Sequence, residues 1–487
     1  MHPFGFCLVL SLLLLPIGCR PLLPAERPQA RDLVPTTFQL YPAAPAAVAD
    51  QPWWQDFTSP ELDQLIDQAL CHNPDLQQLW ARLRQSRALA RSAAAAHWPE
   101  LTADASAGHS RGRSGAVAGS ESVQRWESFA LALLSSYELD LWGRVSAQSR
   151  AGELGAQAAA EDVYAGQLTL TAQVCLAWLD VQAAAARLPL ARQQVTLGRQ
   201  RLELLVQRFG RGQASGIDIA DQQQRLAADE AELARLGEAL QQARLELALL
   251  VGTAAPLPLP TVPADLPDLP ALPSPGLPAD LLARRPDVRA AGLRLRAADW
   301  QVSAAQAQRL PAVRLTAGLS ANSTALAELL DGWLANLAAS VSGPLLDGGR
   351  RRAEVERSRA QVAEQLAAYR QTVLRAVQEV ELALTQEQQR GRIVAALRAQ
   401  LAQQQRLCLQ QRERYLAGTA GYLELLAAEQ ARLALAQQLL QARRELLAAR
   451  VALQRALAGQ PLRLPSAVGS QAEVLAQPWQ SHAMTGQ

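Results

Sequence analysis

Side chains able to act on another molecule gather in a segment that occurs twice. The first copy reads Arg208-Phe209-Gly210-Arg211-Gly212-Gln213-Ala214-Ser215-Gly216-Ile217-Asp218. The second reads Arg414-Tyr415-Leu416-Ala417-Gly418-Thr419-Ala420-Gly421-Tyr422-Leu423-Glu424. Each holds an Arg-aromatic pair, a Gly three residues after the aromatic, and a closing carboxylate, at an offset of 414 − 208 = 206 residues. Cations, rings and carboxylates at a turn supply recognition and local charge, not bond chemistry. The rest of the chain offers no nucleophile–base or metal constellation, which argues against an enzyme. The five histidines (His2, His72, His97, His109, His482) are scattered, and Cys71, Cys175 and Cys408 lack metal-ligand or disulfide spacing. No cofactor is called for.

Each segment sits between two long helical patterns, so each reads as the hairpin where one helix ends and the next begins, with Gly supplying the positive φ of the turn. The composition suits such helices. Aromatics make up 5% of the 487 residues and Met only two, while Ala, Leu, Gln and Arg dominate, a mixture for long helices packed through small side chains. The net charge of +2 gives no reason to expect nucleic acid.

At the N-terminus, Phe6 to Ile17 is an apolar run of signal-peptide length, too short to span a bilayer. It ends at Gly18-Cys19, which resembles a bacterial lipoprotein cleavage box and makes Cys19 the lipidation candidate. The expected organisation is a signal peptide (1–18), a lipidated tether with an extended segment (19–58), a first repeat (59–252), a Pro-rich linker over the surface (253–278), a second repeat (279–459) and a disordered tail (460–487). No later stretch approaches 18 apolar residues, so no transmembrane helix is expected.

Within the repeats, Ser59 or Thr58 caps a short helix carrying Leu62, Leu65, Ile66 and Leu70. Asn73 with Pro74 opens a second helix. Alternation of Leu101, Ala103, Ala105 and Ala107 with polar residues predicts a strand. Gly108–Ser122 reads as a loop, and Phe129 to Tyr137 as a second strand. A helix of about 65 residues, near 100 Å long, follows from Arg144, with Pro189 expected to kink it or mark a change in packing. After the first turn, Leu226, Leu233, Leu240 and Leu247 recur at seven, a coiled-coil seam. The order then repeats. Arg285-Pro286-Asp287-Val288 matches Asn73-Pro74-Asp75-Leu76 at an offset of 212, and Gly349-Arg350 matches Gly143-Arg144 at 206. Strands around Val313–Leu319 and Trp333–Val341, a second long helix, and Leu426, Leu433, Leu440 and Leu447 complete it.

Four strands cannot close a barrel, and open sheet edges are intolerable in a membrane. Three copies would supply twelve strands, an even number suited to an outer-membrane barrel. The fold class is therefore mainly α with a small β part. Long antiparallel helices would form an α-barrel in a trimer, and four strands per chain would join a 12-stranded outer-membrane β-barrel.

The ordered, duplicated set of motifs resembles the TolC family of outer-membrane efflux proteins, in its lipoprotein subgroup. Those motifs are Asn73-Pro74-Asp75-Leu76, Tyr137 to Arg144, Arg284 to Ala291, Gly343 to Arg351 and the two turn segments. The resemblance implies a homotrimeric outer-membrane channel with a periplasmic helical extension, working with a periplasmic adaptor and an inner-membrane pump of the RND type. It would conduct drugs, metals or other small solutes passively, without catalysis. A duct for type I protein or peptide secretion, and a non-channel periplasmic coiled-coil protein, are the competing readings; two strand pairs argue against the second.

The resemblance also implies site roles. Arg208, Phe209, Gly212, Ser215, Arg414, Tyr415 and Gly418 fall at hairpin tips that meet the adaptor. Leu423 and Glu424, with Asp218 and Asp221 of the first repeat, are the constriction candidates: one Leu per chain closes an apolar ring and one carboxylate per chain an acidic one. Many members of the family it resembles carry an acidic residue where this chain has Ala427.

Overall fold

The computed structural model describes residues 52–115, 121–255, 266–270, 272, 273, 278 and 283–457. Cys19, the signal peptide, most of the tether and the tail lie outside the described residues. Among the described residues, seven α-helices and four strands follow a 3-10 turn at Trp53–Phe57. They are α1 (Pro60–His72), α2 (Pro74–Ala95), β1 (Glu100–Gly115), β2 (Glu121–Leu139), α3 (Arg144–Gly210), α4 (Gly216–Val251), α5 (Pro286–Ala307), β3 (Ala312–Ser323), β4 (Trp333–Ser342), α6 (Arg350–Leu416) and α7 (Tyr422–Ala456). Both long helices run 67 residues, and α3 continues unbroken through Pro189.

The chain divides into two compact units. One comprises Arg82–Ala160 and Ala290–Tyr369. It holds one antiparallel sheet in the order β1-β2-β3-β4. Two hairpins meet through β2 and β3, where Leu133 faces Leu319. The duplication is in register: Glu100 pairs with Ser136 and Ala312 with Ser342, and 100 + 212 = 312 while 136 + 206 = 342. The shared ladder reaches His109–Glu127 in the first hairpin and Ala321–Trp333 in the second.

Beyond that rung the hairpins differ. The first adds Ser110–Trp126 through Gly115–Glu121, so the segment expected as a loop from Gly108 to Ser122 is largely strand. Backbone pairing accepts a Gly/Ser-rich sequence once the neighbouring rungs are formed. Gly108 also permits close approach, since a Cβ there would lie 2.9 Å from Ser128 Oγ. Below the sheet, carboxylates cap the long helices. Asp140 accepts from the Val145 and Ser146 amides at 2.9 and 2.7 Å, and Asp347 accepts from Gly349 and Arg351. Leu154, Ala158, Leu293 and Ala297 form an apolar core between α3 and α5, with Trp300 packed against it.

The other unit comprises the described residues up to Ala81, Glu161–Arg289, and those from Arg370 on. Ser59 caps α1 through the Leu62 amide, while Thr58 takes φ 50°. Asn73 accepts from the Leu76 amide at 3.0 Å and donates to the Leu250 carbonyl at 2.9 Å, tying the start of α2 to the end of α4. Arg285, its counterpart, donates to the Ala456 carbonyl at 3.2 Å, and 250 + 206 = 456. Of the heptad leucines, Leu240, Leu247, Leu426, Leu433 and Leu447 are buried. The linker does not simply cross the surface. Leu266 is buried, its carbonyl accepts from Arg443 at 3.0 Å, and Arg450 bonds the Pro270 carbonyl.

The hairpins α3–α4 and α6–α7 meet along a polar seam between α3 and α7. Asp180 accepts from Arg444 at 2.7 Å, Arg187 bonds Gln441 at 3.2 Å, Gln194 bonds Gln437 at 3.2 Å, and Arg201 bonds Gln430 at 3.1 Å. The four α3 positions recur at seven, so they lie on one face.

Among the described residues one helix has the length and composition of a membrane span, though it holds no run of 18 apolar residues. An 18-residue window of α3 has mean hydropathy 1.3. Mean hydropathy tolerates polar residues that a consecutive apolar run does not. Of that window 61% is buried inside the fold, and Val174, Trp178, Leu179 and Val181 of α3 are core residues.

Candidate functional site: the paired helical tips

Both repeated segments form the turns expected of them, by nearly the same backbone path. In the first, the Gly212 amide bonds the Phe209 carbonyl at 2.9 Å and the Gln213 amide bonds Arg208 at 2.9 Å. In the second, the Gly418 amide bonds Tyr415 at 3.0 Å and the Thr419 amide bonds Arg414 at 2.8 Å. Gly212 and Gly418 take φ 69° and 72°, the left-handed conformation that closes a helix on Gly at least cost. The two residues differ in sequence by 418 − 212 = 206, the repeat offset.

The entry into the following helix differs. Ser215 caps α4 in a reciprocal box: its Oγ accepts from the Asp218 amide at 3.2 Å, and Asp218 accepts from the Ser215 amide at 2.8 Å and hydroxyl at 2.7 Å. Those two hydrogen bonds favour the ionised carboxyl and hold Asp218 below its usual value. In the second tip Gly421 is the N-cap and brings no side-chain bond. Instead the Tyr415 and Tyr422 rings meet with centroids 5.2 Å apart and planes tilted by 40°, and Thr419 Oγ1 donates to the Arg414 carbonyl at 3.1 Å. The tips are neighbours: a Cβ on Gly421 would lie 3.7 Å from an Arg208 guanidinium nitrogen.

Exposure sorts the sequence candidates. Phe209, Ile217, Tyr415 and Leu416 are apolar and exposed, with Arg414 and Ser215 exposed beside them. Leu423 is half-buried and Glu424 exposed in the first turn of α7. Asp221 pairs with Arg225 at 3.0 Å, one helical turn on, so its charge is partly matched within α4. Arg225 also disfavours the cation of nearby Arg201, whose burial lowers it first and whose pull from Asp221 opposes both. Sequence reading did not single out Arg201, Arg225 or Tyr422. The Asp221–Arg225 spacing of four was legible; the Arg201 contact, across two hairpins, was not. Among the described residues no cluster of His, Cys, Asp and Glu could hold a metal ion.

The family model described as outer membrane efflux protein matches residues 65–253 and 277–459. The pyoverdine export outer membrane protein OpmQ of Pseudomonas aeruginosa is 32% identical, over 84% of this chain and 87% of that protein. The outer membrane protein OprJ of the same organism is 32% identical, over 79% and 81%. Among solved structures, the outer-membrane channel OprN superposes with a TM-score of 0.77 at 30% identity, covering 90% of this chain and 99% of that one. The open state of the Neisseria gonorrhoeae MtrE outer membrane channel gives 0.78 at 27% identity, over 90% and 98%. Matched across both repeats and in fold, the chain belongs to the outer membrane efflux protein family and is an outer-membrane efflux channel, a transport protein.

Proposed function

We propose that three copies of this chain form one passive duct, twelve strands closing a barrel in the outer membrane and the long helices a tunnel in the periplasm. The observation that carries it is the sheet. Register places Leu131 and Leu133, Leu315 and Leu319, and Trp333, Leu337 and Val341 on one face. The other face carries Thr102, Asp104, Ser136, Thr316, Asn336 and Ser340 by the same pairings. Trp333 is 70% and Leu337 81% exposed in the isolated chain, and β1 and β4 are unpaired edges. Lipid outside, water inside and neighbouring copies at both edges satisfy all three features.

In this reading the repeats 59–252 and 279–459 each contribute one hairpin tip, joined through 253–278, and Cys19 carries the lipid anchor. The tips dock a periplasmic adaptor through Phe209, Tyr415 and the glycine turns at Gly212 and Gly418, flanked by Arg208, Arg414 and Ser215. An inner-membrane pump supplies the energy and the choice of solute. Leu423 and Glu424 narrow the tunnel, with Asp218 and Asp221 adding acidic charge. Purified full-length protein in a planar bilayer tests the duct. The expected result is a small conductance that rises several-fold in Leu423→Ala with Glu424→Ala. No pore in either protein would overturn it.

A further inference from the structure

The extra rungs of the first hairpin carry a charge arrangement that the sheet itself does not balance. Pairing runs without a bulge from Glu100–Ser136 to Gly115–Glu121 (100 + 136 = 115 + 121), so the alternation of side chains is kept throughout. Ala103, Ala105 and Ala107, with Leu133, Leu131 and Phe129 opposite them, therefore share one face with His109, Glu127, Arg111 and Arg125. That is the face assigned above to lipid. Arg111 lies directly across from Arg125, with Cβ atoms about 5 Å apart, and both residues are exposed. Like charges so opposed destabilise a strand pair. The nearest carboxylate along the face, Glu127, is 3.7 Å from His109 instead.

The duplication gives the height of this pair. Under the repeat offsets His109–Glu127 is equivalent to Ala321–Trp333 (109 + 212 = 321, 127 + 206 = 333). Trp333 is exposed on the apolar face, and tryptophan at the rim of a membrane barrel marks the level of the lipid headgroups. Arg111 and Arg125 stand two residues beyond that level, about 7 Å further along the strands. Their long side chains can reach back into the headgroup zone. The second hairpin has no cation at the same place: residues 322–332 hold Glu328 and Asp331. Toward the membrane interior the apolar face deepens into a hollow of about 630 Å³, lined by Leu131, Leu133, Leu319, Leu330 and Trp333.

We propose that Arg111 and Arg125 bind a phosphorylated, acylated lipid of the outer leaflet, its phosphate between the two guanidinium groups and its acyl chains on the apolar face beneath. This rests on the barrel proposed above and deepens it by naming one lipid contact per chain. A phosphate turns the repulsion of the arginines into charge-assisted, forked hydrogen bonds. A soluble phosphate gains only those bonds. A lipid gains them together with burial of its chains, at the depth that the strand register fixes.

The test uses the full-length protein, purified in detergent and stripped of lipid, then incubated with lipid A and weighed by native mass spectrometry. The parent should hold lipid A. Arg111→Gln with Arg125→Gln should hold roughly tenfold less, and lipid A freed of its phosphates should bind the parent no better than lipid A binds that variant. Arg111→Gln alone gives the same comparison should the double variant fail to fold. Equal retention by the two proteins, or of the two lipids, overturns the proposal. So does displacement by millimolar inorganic phosphate, which would mark a soluble-anion site.

Conductance in a planar bilayer separates this inference from the duct on which it rests. The variant should conduct as the parent does. Pores in both proteins with unchanged lipid retention overturn the inference alone. A parent that forms no pore overturns the duct, and with it the depth given to the two arginines.

Discussion

Gln222 of α4 donates its side-chain amide to the Gly198 carbonyl of α3 at 3.0 Å, and Gln404 of α6 donates to the Ala428 carbonyl of α7 at 3.0 Å. These are equivalent places (198 + 206 = 404, 222 + 206 = 428) with donor and acceptor exchanged. Each hairpin thus keeps one amide bridge near its tip while the glutamine has changed helices.

Gln222 is buried and Gln404 half-buried, so the two bridges differ in worth. Gln222→Ala leaves a desolvated carbonyl and a cavity, a loss of about 1–3 kcal/mol, and Gln404→Ala should lose less. Thermal unfolding followed by circular dichroism should rank the variants in that order; equal melting temperatures would contradict it.

Arg450 and Glu387 are the most deeply buried ion pair described, their side chains 3% and 10% exposed. Removing Glu387 alone strands a cation that also serves the Pro270 carbonyl. Glu387→Ala should destabilise by about 3–5 kcal/mol, whereas Glu387→Leu with Arg450→Met should lose far less. Urea titration of the three proteins makes the comparison.

Gly252 ends α4 at φ 87°, and a Cβ there would sit 2.7 Å from the His72 carbonyl oxygen. Strain and collision act together against backbone that cannot yield. Gly252→Ala should destabilise by more than about 1 kcal/mol, and a melting temperature equal to the parent's would refute this.

The Ser215–Asp218 box makes the first tip pH-dependent. Because the folded carboxyl lies below its ordinary 3.8, its stabilisation is full above that value and is lost as pH falls through the lowered one. Ser215→Ala removes the bonds. Pulse-labelled hydrogen exchange of residues 215–220 should therefore differ between the two proteins at neutral pH and converge in strong acid. The second tip, capped at Gly421 without a side-chain bond, should show no such convergence.

How far the sequence could be read depended on what kind of interaction held each part. Asn73 before Pro74 announced a helix start, and leucines at seven announced the seams, because apolar spacing and caps are local signals. The polar contact of α3 with α7 was hidden. Arg187, Gln194 and Arg201 on a helix read as a solvated face until a second helix 229 to 254 residues away supplies their partners. Gly108 to Gly115 failed for the converse reason: ladder bonds are made by backbone, and composition does not report them. The tip residues were found by repetition, not chemistry, so Tyr422, which lacks a counterpart in the first copy, went unremarked.

The extra rungs beyond His109–Glu127 also say where this architecture has tolerated growth. Between that rung's two residues lie 17 others, against 11 between Ala321 and Trp333, the six-residue difference of the repeats. Everything nearer the helices kept its spacing, since one residue gained there would turn each following side chain to the opposite face of the sheet. Length has been free to drift only at the far end of a hairpin. A residue inserted at that end leaves every rung nearer the helices in register, so the far end of a hairpin is where this chain can carry an added segment without repacking anything else.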